Sequence, residues 1–314
     1  MKKQSLWLLS IFFFLSSCSS LKENPEEGKY SLNMNREYTV VDCLPFGEGR
    51  KASVFLLLGQ SNASGSSYVE YLEKTAKGED FLRYQNGYDS VMIDFCIDNH
   101  ATSSEGRFQK VDLTCAYEGC FGPEVGFADK LIQAGIQEPI FILKYTMSGY
   151  SLNYNWLRKG NRGDIYTAME QYAKTYLFYL ESKGYEITLD GVLWMQGESD
   201  TTEFKASKYL DNTRKFVSYL REDFKAYQRE EGIYFIDAGI SDSPYCLPSY
   251  PEINEAKVAF SKESDLNLYF PTIENGLTTL NEPYGDPDLG HYDALDEIRL
   301  GELFGEAALT FLRS

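Results

Sequence analysis

The sequence predicts an α/β protein with a mainly parallel central sheet and helices on both of its faces. Short continuous apolar runs recur along the chain, as expected of strands that are buried on both sides. Helical patterns lie between these runs, and strands that alternate with helices are typical of a parallel sheet. Functional sites in such sheets form at the carboxyl ends of the strands, so the chemically important residues should directly follow the apolar runs.

Four apolar runs are predicted to be strands of this sheet, and four amphipathic stretches are predicted to be helices. The strands are expected at 53–58, 139–143, 191–195 and 232–236, and the helices at 124–134, 165–182, 206–228 and 294–312. The segment 66–120 interrupts the alternation. We interpret it as an insertion that carries short extra strands at 91–95 and 108–111.

The amino terminus has the features of a bacterial export signal. Lys2 and Lys3 precede an apolar run at 6–15, and small residues then lead to Cys18. The segment 15–18, Leu-Ser-Ser-Cys, resembles the bacterial lipobox, in which the cysteine becomes the acylated first residue. Ordinary signal-peptidase cleavage, with Cys18 incidental, is the alternative.

This signal predicts export and lipid anchoring to the bacterial outer membrane, on its periplasmic or cell-surface side. The lipid is expected to be the only contact with the membrane, because no later apolar run approaches the roughly 20 residues that a spanning helix needs. The predicted organisation is a lipoprotein signal peptide at 1–17, a tether and lead-in segment at 18–50, and one domain at 51–314.

Composition excludes several classes of partner and site. A formal net charge of −17 argues against binding to nucleic acid or to anionic lipid headgroups. Two histidines in the whole chain argue against a histidine-built metal site, and we expect neither a metal nor a cofactor. The cysteines after Cys18 are odd in number, so at least one is unpaired. Cys115 and Cys120 are close enough in sequence to form a disulfide, but they could equally be buried thiols.

A serine follows the first predicted strand at the point where a helix should begin. Ser61 lies in Gly-Gln-Ser-Asn at 59–62, and Ala63 excludes the Gly-x-Ser-x-Gly elbow of another serine hydrolase class. A hydroxyl at such a turn is exposed at the edge of the sheet, and the helix amides face any oxyanion that forms. Ser61 is therefore a candidate nucleophile, with a helix N-cap as the alternative.

Two later strand ends carry groups that could stabilise an oxyanion. Gly149 follows the strand at 139–143 on a loop where its backbone amide could approach a substrate, although a plain turn glycine would look the same. After the strand at 191–195, Gln196 offers a side-chain amide and Glu198 a carboxylate. A loop of polar capping residues is the alternative for this segment.

A histidine near the carboxyl terminus is the candidate base for Ser61. His291 lies three residues after Asp288 on a glycine-containing loop, so the carboxylate can curl back to orient the imidazole and stabilise its cation. The other histidine, His100, lies in a polar stretch of the predicted insertion, and we interpret it as a surface or loop residue.

These blocks, in this order, resemble those of the SGNH/GDSL hydrolase superfamily, and more narrowly of its sialate O-acetylesterase-like branch of carbohydrate acetylesterases. The likeness runs from about residue 53 to 312 and includes Phe-Gly-Pro-Glu at 121–124, similar to a helix start in that branch. The chain departs from the branch in having Ala63 in place of Met and Ser148 in place of the first glycine of a Gly-Gly pair.

The resemblance implies a flavodoxin-like, three-layer α/β/α fold and a Ser-His-Asp site without a metal. In this sequence Ser61 would be the nucleophile, His291 the base and Asp288 its partner. The oxyanion hole would consist of the Ser61 amide, the Gly149 amide and the Gln196 side chain. Supporting roles fall to Gln60, Asn62 and Glu198.

The resemblance further implies a serine esterase that removes acyl groups, foremost acetyl groups, from carbohydrates. A non-catalytic glycan-binding lipoprotein on the same fold is one alternative, and a transferase or lipid-directed esterase with the same triad is another. The aromatic residues after the second predicted strand could stack on sugar rings or pack in the core. They are Tyr145, Tyr150, Tyr154 and Trp156.

Overall fold

The computed structural model describes residue 34, residues 37–157 and residues 164–313. The strands are β1 (Lys51–Gly59), β2 (Ser67–Tyr68), β3 (Tyr88–Ile97), β4 (Thr102–Ser103), β5 (Gln109–Val111), β6 (Cys120–Phe121), β7 (Ile140–Thr146), β8 (Glu186–Met195), β9 (Tyr234–Ala238) and β10 (Asn267–Phe270). The helices are α1 (Ser61–Ser64), α2 (Val69–Thr75), α3 (Gly78–Asn86), α4 (Glu124–Gln133), α5 (Asp164–Ser182), α6 (Glu203–Ala206), α7 (Tyr209–Asp223), α8 (Tyr250–Ser261) and α9 (Ala294–Leu312).

The central sheet has the strand order β10-β9-β8-β1-β7-β3-β4, and β5 also pairs with β3. The six strands from β10 to β3 are parallel, whereas β4 and β5 are antiparallel to β3. β1 lies in the middle of the sheet. From β1 the chain adds β3 and β7 on one side, and it then crosses to the other side to add β8, β9 and β10, so the direction of strand addition reverses beside β1. Ligand sites in open α/β sheets form at the carboxyl ends of the strands beside such a reversal.

Helices cover both faces of this sheet. On one face, Phe127 of α4 packs edge-on against Phe55 of β1 with ring centroids 5.0 Å apart, and α9 packs beside α4. On the other face, Phe216 of α7 lies 4.6 Å from Trp194 of β8, next to α5 and α8. Each fully buried side chain of this size contributes roughly 1.5–3 kcal/mol through removal of its apolar surface from water. The predicted three-layer α/β/α class with a mainly parallel sheet is confirmed.

The four predicted strands are present, and the predicted helices at 124–134, 165–182 and 294–312 agree with α4, α5 and α9 to within a residue. The predicted helix at 206–228 is interrupted, because α6 ends before α7 begins and α7 ends at Asp223. Sequence patterning did not identify α2, α3, α8 or β10.

The interpretation of 66–120 as an insertion is wrong for its longest strand. The run at 91–95 belongs to β3, which pairs in parallel with β7 inside the central sheet. A charged residue in the run concealed this role: Asp94 is buried in β3, where it accepts hydrogen bonds from Ser104 Oγ at 2.6 Å and Tyr172 OH at 2.7 Å. The run at 108–111 is β5, the antiparallel neighbour of β3.

Residues 1–17 and Cys18 lie outside the described residues. The described part of the lead-in segment packs against α5, where the Tyr179 hydroxyl accepts hydrogen bonds from the amides of Cys43 and Leu44 at 3.1 and 3.2 Å. No helix in the described part of the chain has the length and apolarity needed to cross a membrane. The described cysteines are free thiols, including the two for which a disulfide was considered; they are Cys43, Cys96, Cys115, Cys120 and Cys246.

Candidate active site

The serine loop begins where β1 and β8 end side by side. Gly59 has φ +143°, and a Cβ on it would lie 2.0 Å from Met195 O, so only glycine permits this approach. Ser61 is the first residue of α1 and is partly exposed. The N-cap of α1 is Gln60, whose side chain makes no capping hydrogen bond, so Ser61 does not serve as the cap.

Asn62 connects the serine loop to the histidine loop. Its Oδ1 accepts a hydrogen bond from Tyr292 N at 3.2 Å, and its Nδ2 lies 3.3 Å from Gly290 O. These two contacts are to the residues on either side of His291. The Asn62 side chain is almost fully buried, so water does not compete for these hydrogen bonds. Ser61 and His291 are therefore held on neighbouring loops by the residue that directly follows the serine.

His291 is paired with Asp288. The distance from His291 Nδ1 to Asp288 Oδ2 is 2.7 Å, and Asp288 Oδ1 accepts a hydrogen bond from Gly290 N at 3.0 Å. This contact to Nδ1 leaves Nε2 as the ring nitrogen available for proton transfer. In the described residues no hydrogen bond joins Ser61 Oγ to His291. Serine–histidine contacts are often long or poorly aligned until a substrate binds.

Glu198 contacts the Asn62 bridge, by which we mean the Asn62 side chain and its hydrogen bonds to Gly290 and Tyr292. Its Oε1 accepts a hydrogen bond from Asn62 Nδ2 at 2.9 Å, and its Oε2 is shielded from solvent. Burial raises the pKa of the Glu198 carboxyl, and the hydrogen bond from Asn62 and the charge of Lys257 oppose that rise. The predicted supporting residues Asn62 and Glu198 thus lie together and act on the position of the histidine loop.

Gly149 lies on the exposed loop after β7. It has φ +77°, and the space that a side chain there would occupy is open. The residue before it is held in place, because Ser148 N donates to Asp98 Oδ1 at 2.6 Å and Ser148 Oγ lies 3.1 Å from Tyr117 OH. Asp98 begins the turn that follows β3, has a left-handed backbone conformation, and also accepts a hydrogen bond from Tyr117. Asp98 was not among the predicted site residues, because the pattern of β3 did not indicate a strand of the central sheet.

The Gln196 side chain is engaged in hydrogen bonds within the protein. Its Nε2 lies 2.7 Å from Asp200 Oδ2 and 3.3 Å from both Gln60 Oε1 and Tyr150 O. Its Oε1 accepts a hydrogen bond from Tyr209 OH at 3.0 Å. An amide has two hydrogens to donate, and these acceptors already engage them. The arrangement favours a bracing role for Gln196 over donation to an oxyanion.

Gln60 and Asp200 complete this brace. Gln60 is buried, and its Oε1 accepts a hydrogen bond from Ser199 N at 3.2 Å, which ties the serine loop to the loop after β8. Asp200 also accepts hydrogen bonds from Leu152 N at 2.7 Å and Asn153 N at 3.1 Å, in the helical turn that follows β7. The spacing of Gln196 and Asp200 in one short motif was the sequence signal for this partnership.

A buried ion pair lies below Gln196. Lys257 Nζ donates to Gln196 O at 2.8 Å and to Asp237, and both charged side chains are almost completely buried. Burial raises the pKa of Asp237 to about 6, and the charge of Lys257 opposes that rise. No group of His, Cys, Asp and Glu residues in the described ranges could hold a metal ion.

Two of the four aromatic residues considered for sugar stacking are too deeply buried for it. Tyr145 and Trp156 are fully buried in the core, whereas Tyr150 and Tyr154 are partly exposed.

His100 stacks on Tyr38 with ring centroids 5.4 Å apart, in the turn that follows β3. The predicted loop position of His100 is confirmed, although the turn lies at a strand end.

The site therefore combines a partly exposed hydroxyl, a carboxylate-paired imidazole on a neighbouring loop, and an exposed glycine loop, all at the carboxyl edge of the sheet. These are the parts that acyl transfer through a serine requires. A family model described as carbohydrate esterase, sialic acid-specific acetylesterase, matches residues 51–310. No curated protein matches the chain in sequence.

Solved structures with the same fold include three that cover most of this chain. A protein from Arabidopsis thaliana is 18% identical with a TM-score of 0.59, over 82% of this chain and 98% of its own. NanS is 14% identical with a TM-score of 0.57, over 85% and 99%. A carbohydrate acetylesterase from Xanthomonas citri is 16% identical with a TM-score of 0.51, over 81% and 55%. At these identities the likeness establishes the fold.

Proposed function

The chain belongs to the carbohydrate esterase family of sialic acid-specific acetylesterases, as its sequence motifs indicated, and we propose that it hydrolyses O-acetyl esters of carbohydrates with Ser61 as nucleophile. The observation that carries this proposal is the Asn62 bridge. It fixes the loop of the Asp288–His291 pair against the residue next to Ser61.

The first half of the proposed reaction forms an acetyl-enzyme. His291 Nε2 accepts the proton of Ser61 Oγ as that oxygen attacks the ester carbonyl carbon. Asp288, at 2.7 Å from Nδ1, stabilises the imidazolium that results. The tetrahedral intermediate collapses when the carbon–oxygen bond to the sugar breaks, and the imidazolium returns its proton to the departing sugar oxygen.

The second half releases acetate. Water attacks the acetyl carbonyl carbon, His291 accepts a proton from that water, and the bond to Ser61 Oγ breaks as the serine recovers a proton. The amides of Ser61 and Gly149 are the proposed oxyanion donors. Each such donor lowers the barrier by roughly 2.7–4 kcal/mol. Gln196 is proposed to brace the loops instead, because its amide hydrogens are engaged elsewhere.

The test of this function is Ser61→Ala, assayed on 4-nitrophenyl acetate and on an acetylated pyranoside. We expect kcat to fall by about 10⁴- to 10⁶-fold, because the substitution removes the hydroxyl that is proposed to form the acyl-enzyme. Ser66→Ala is the matched control, since in the part of the chain that the structure describes its hydroxyl makes one hydrogen bond, to the Ser61 carbonyl oxygen at 3.3 Å. Circular dichroism should show that both variants are folded. Retained activity in Ser61→Ala would refute the assignment.

We also propose that the protein is exported and anchored to the outer membrane through a lipid on Cys18, with 1–17 removed. The support is the lipobox-like sequence that follows a basic and apolar start. In cells fed a labelled fatty acid, the wild-type protein should carry label and Cys18→Ala should not. Cys43→Ala, which alters a described thiol, should be labelled like the wild type. Label on Cys18→Ala would contradict the anchor.

A further inference from the structure

Exposed tyrosines surround the loop that carries Asp288 and His291. The exposed fractions are 71% for Tyr245, 58% for Tyr284 and 40% for Tyr68. Single exposed apolar residues are normal on protein surfaces. Three tyrosines gathered at one functional loop, none of which the sequence motifs indicated, require a separate explanation.

Tyr245 lies beside the residue that precedes His291. Two atoms on one edge of its ring are 3.6 and 3.8 Å from the position that a Cβ on Gly290 would take. The turn that carries Tyr245 is fixed from below, because Cys246 is buried and Ser243 Oγ donates to its sulfur at 3.5 Å. Tyr245 is thus an exposed ring on a well-anchored turn. It lies next to Gly290, the residue before the proposed catalytic base His291.

Tyr284 lies earlier on the same loop, and Tyr68 lies on β2 next to it. Tyr71 connects them through edge-to-face contacts, with ring centroids 4.9 Å from Tyr284 and 5.8 Å from Tyr68. Next to Tyr68, Ser67 Oγ donates to Tyr292 O at 2.7 Å, which ties this cluster to the residue after His291. Asp288 is close enough to Tyr68 to contribute to the rise of its pKa, of which burial is the main cause.

The chemistry of these surfaces suits a sugar ring. The face of a tyrosine ring is apolar and carries a negative quadrupole, so it attracts the polarised C–H groups on one face of a pyranose. Exposed carboxylates accompany both tyrosines in the chain: Asp242 precedes Tyr245 by three residues and Asp286 follows Tyr284 by two. Carboxylates accept hydrogen bonds from sugar hydroxyls. The same carboxylates would repel an anionic membrane surface.

We propose that Tyr245 and Tyr284 are stacking platforms on either side of the catalytic loop, and that the substrate is an acetylated oligosaccharide or polysaccharide. Tyr245 would hold the ring that bears the acetyl group, because it is adjacent to the residue before His291. Tyr284 would hold a neighbouring ring of the same glycan. This inference rests on the proposed esterase function and extends it to the size of the substrate.

The test compares esters with no, one and several sugar rings: ethyl acetate, glucose penta-acetate and a panel of O-acetylated tetrasaccharides that differ in linkage. Tyr245→Ala should raise KM about 5- to 10-fold on both kinds of sugar ester, with ethyl acetate unaffected. Tyr284→Ala should raise KM only on a tetrasaccharide. Tyr245→Phe and Tyr284→Phe should behave like the wild type, because they keep the rings.

Phe178→Ala is the matched control, since Phe178 is also an exposed aromatic residue, with an exposed fraction of 69%. It lies near the carboxyl end of α5, which leads into the start of β8 and is therefore at the edge of the sheet opposite to the site. Unchanged KM on every sugar ester, or equal loss on ethyl acetate, would overturn the platforms. Calorimetric binding of the deacetylated tetrasaccharides separates the two proposals. Tyrosine-dependent binding without any ester turnover would refute the esterase and leave the platforms standing, whereas turnover without tyrosine dependence would do the reverse.

Discussion

At the scale of single residues, Asn62 connects more of the site than any of the predicted catalytic groups. Its side chain contacts Glu198, Gly290 and Tyr292, which belong to two loops far apart in the sequence. Its role is one of positioning, because it holds the backbone on both sides of His291. The sequence motif named Asn62 as a supporting residue but could not indicate what it supports.

Asn62→Ala should lower kcat about 10- to 100-fold, with KM for a small ester nearly unchanged. The histidine loop loses its anchor, and misplacement of a reacting group by about 1 Å costs a rate factor of that order. Steady-state kinetics on 4-nitrophenyl acetate measure the change. Asn275→Ala is the control. It removes an exposed side-chain amide that donates a hydrogen bond to Pro271 O, and it should leave kcat unchanged. A rise in KM alone would show that Asn62 contacts substrate instead.

Gln196 presents the opposite case, because the sequence suggests an oxyanion role for it whereas its hydrogen bonds to Asp200 and Tyr209 favour a bracing role. We expect Gln196→Ala to lower the free energy of unfolding by roughly 1–3 kcal/mol, since Asp200 and Tyr209 lose a buried hydrogen-bond partner. Urea denaturation measures this loss. If Gln196→Ala is as stable as the wild type but has a much lower kcat, Gln196 acts as an oxyanion donor and not as a brace.

At the scale of elements, the loop after β7 depends on its neighbour β3. The left-handed turn at the end of β3 directs Asp98 to the amide of Ser148, and this contact sets the conformation in which Gly149 is exposed. The residue that directly follows β3, a strand that the sequence pattern placed in an insertion, therefore positions the proposed oxyanion loop.

Asp98→Ala should reduce kcat by about tenfold or more, because an unanchored loop no longer holds the Gly149 amide towards the substrate. KM for a small ester should change little. Asp89→Ala is the matched control, since Asp89 is exposed near the opposite end of the same strand. Equal kcat values for the two variants would show that Asp98 has no part in positioning this loop.

At the scale of the whole molecule, buried acids contribute to the dependence of stability on pH. Glu124 forms a fully buried ion pair with Lys144 at 2.8 Å. Glu297, at the start of α9, is also fully buried, and neither of its oxygens has a hydrogen-bond partner among the described residues. Burial, with the nearby charge of Glu124, raises the pKa of Glu297 well above its ordinary value of 4.5.

Stability should therefore fall as the pH rises above the ordinary glutamate pKa of 4.5. In that range the unfolded chain releases the Glu297 proton while the folded chain retains it, so the unfolded state is favoured at higher pH. Glu297→Gln mimics the protonated form and should lose less stability between pH 5 and pH 8 than the wild type. Glu255→Gln, an exposed change on α8, should follow the wild type. Parallel curves for all three proteins in urea denaturation would contradict the assignment.

The sequence by itself determined the fold class and the choice of Ser61, Asp288 and His291 as candidates. Apolar continuity, strand-end position and the scarcity of histidine are properties of short segments, and they can be read without a structure. The boundaries of α4, α5 and α9 agreed with the prediction for the same reason, because helix periodicity is local.

Only the tertiary structure decided how the polar groups are used. Asn62 meets Tyr292 across 230 residues of sequence, and Gln196 meets Gln60 across 136, so no local pattern indicates which hydrogen bonds are made. Exposure is decided in the same way. Packing of distant segments buries Tyr145 in β7 and Trp156 after it, and leaves Tyr245 and Tyr284 exposed at the loop that carries His291.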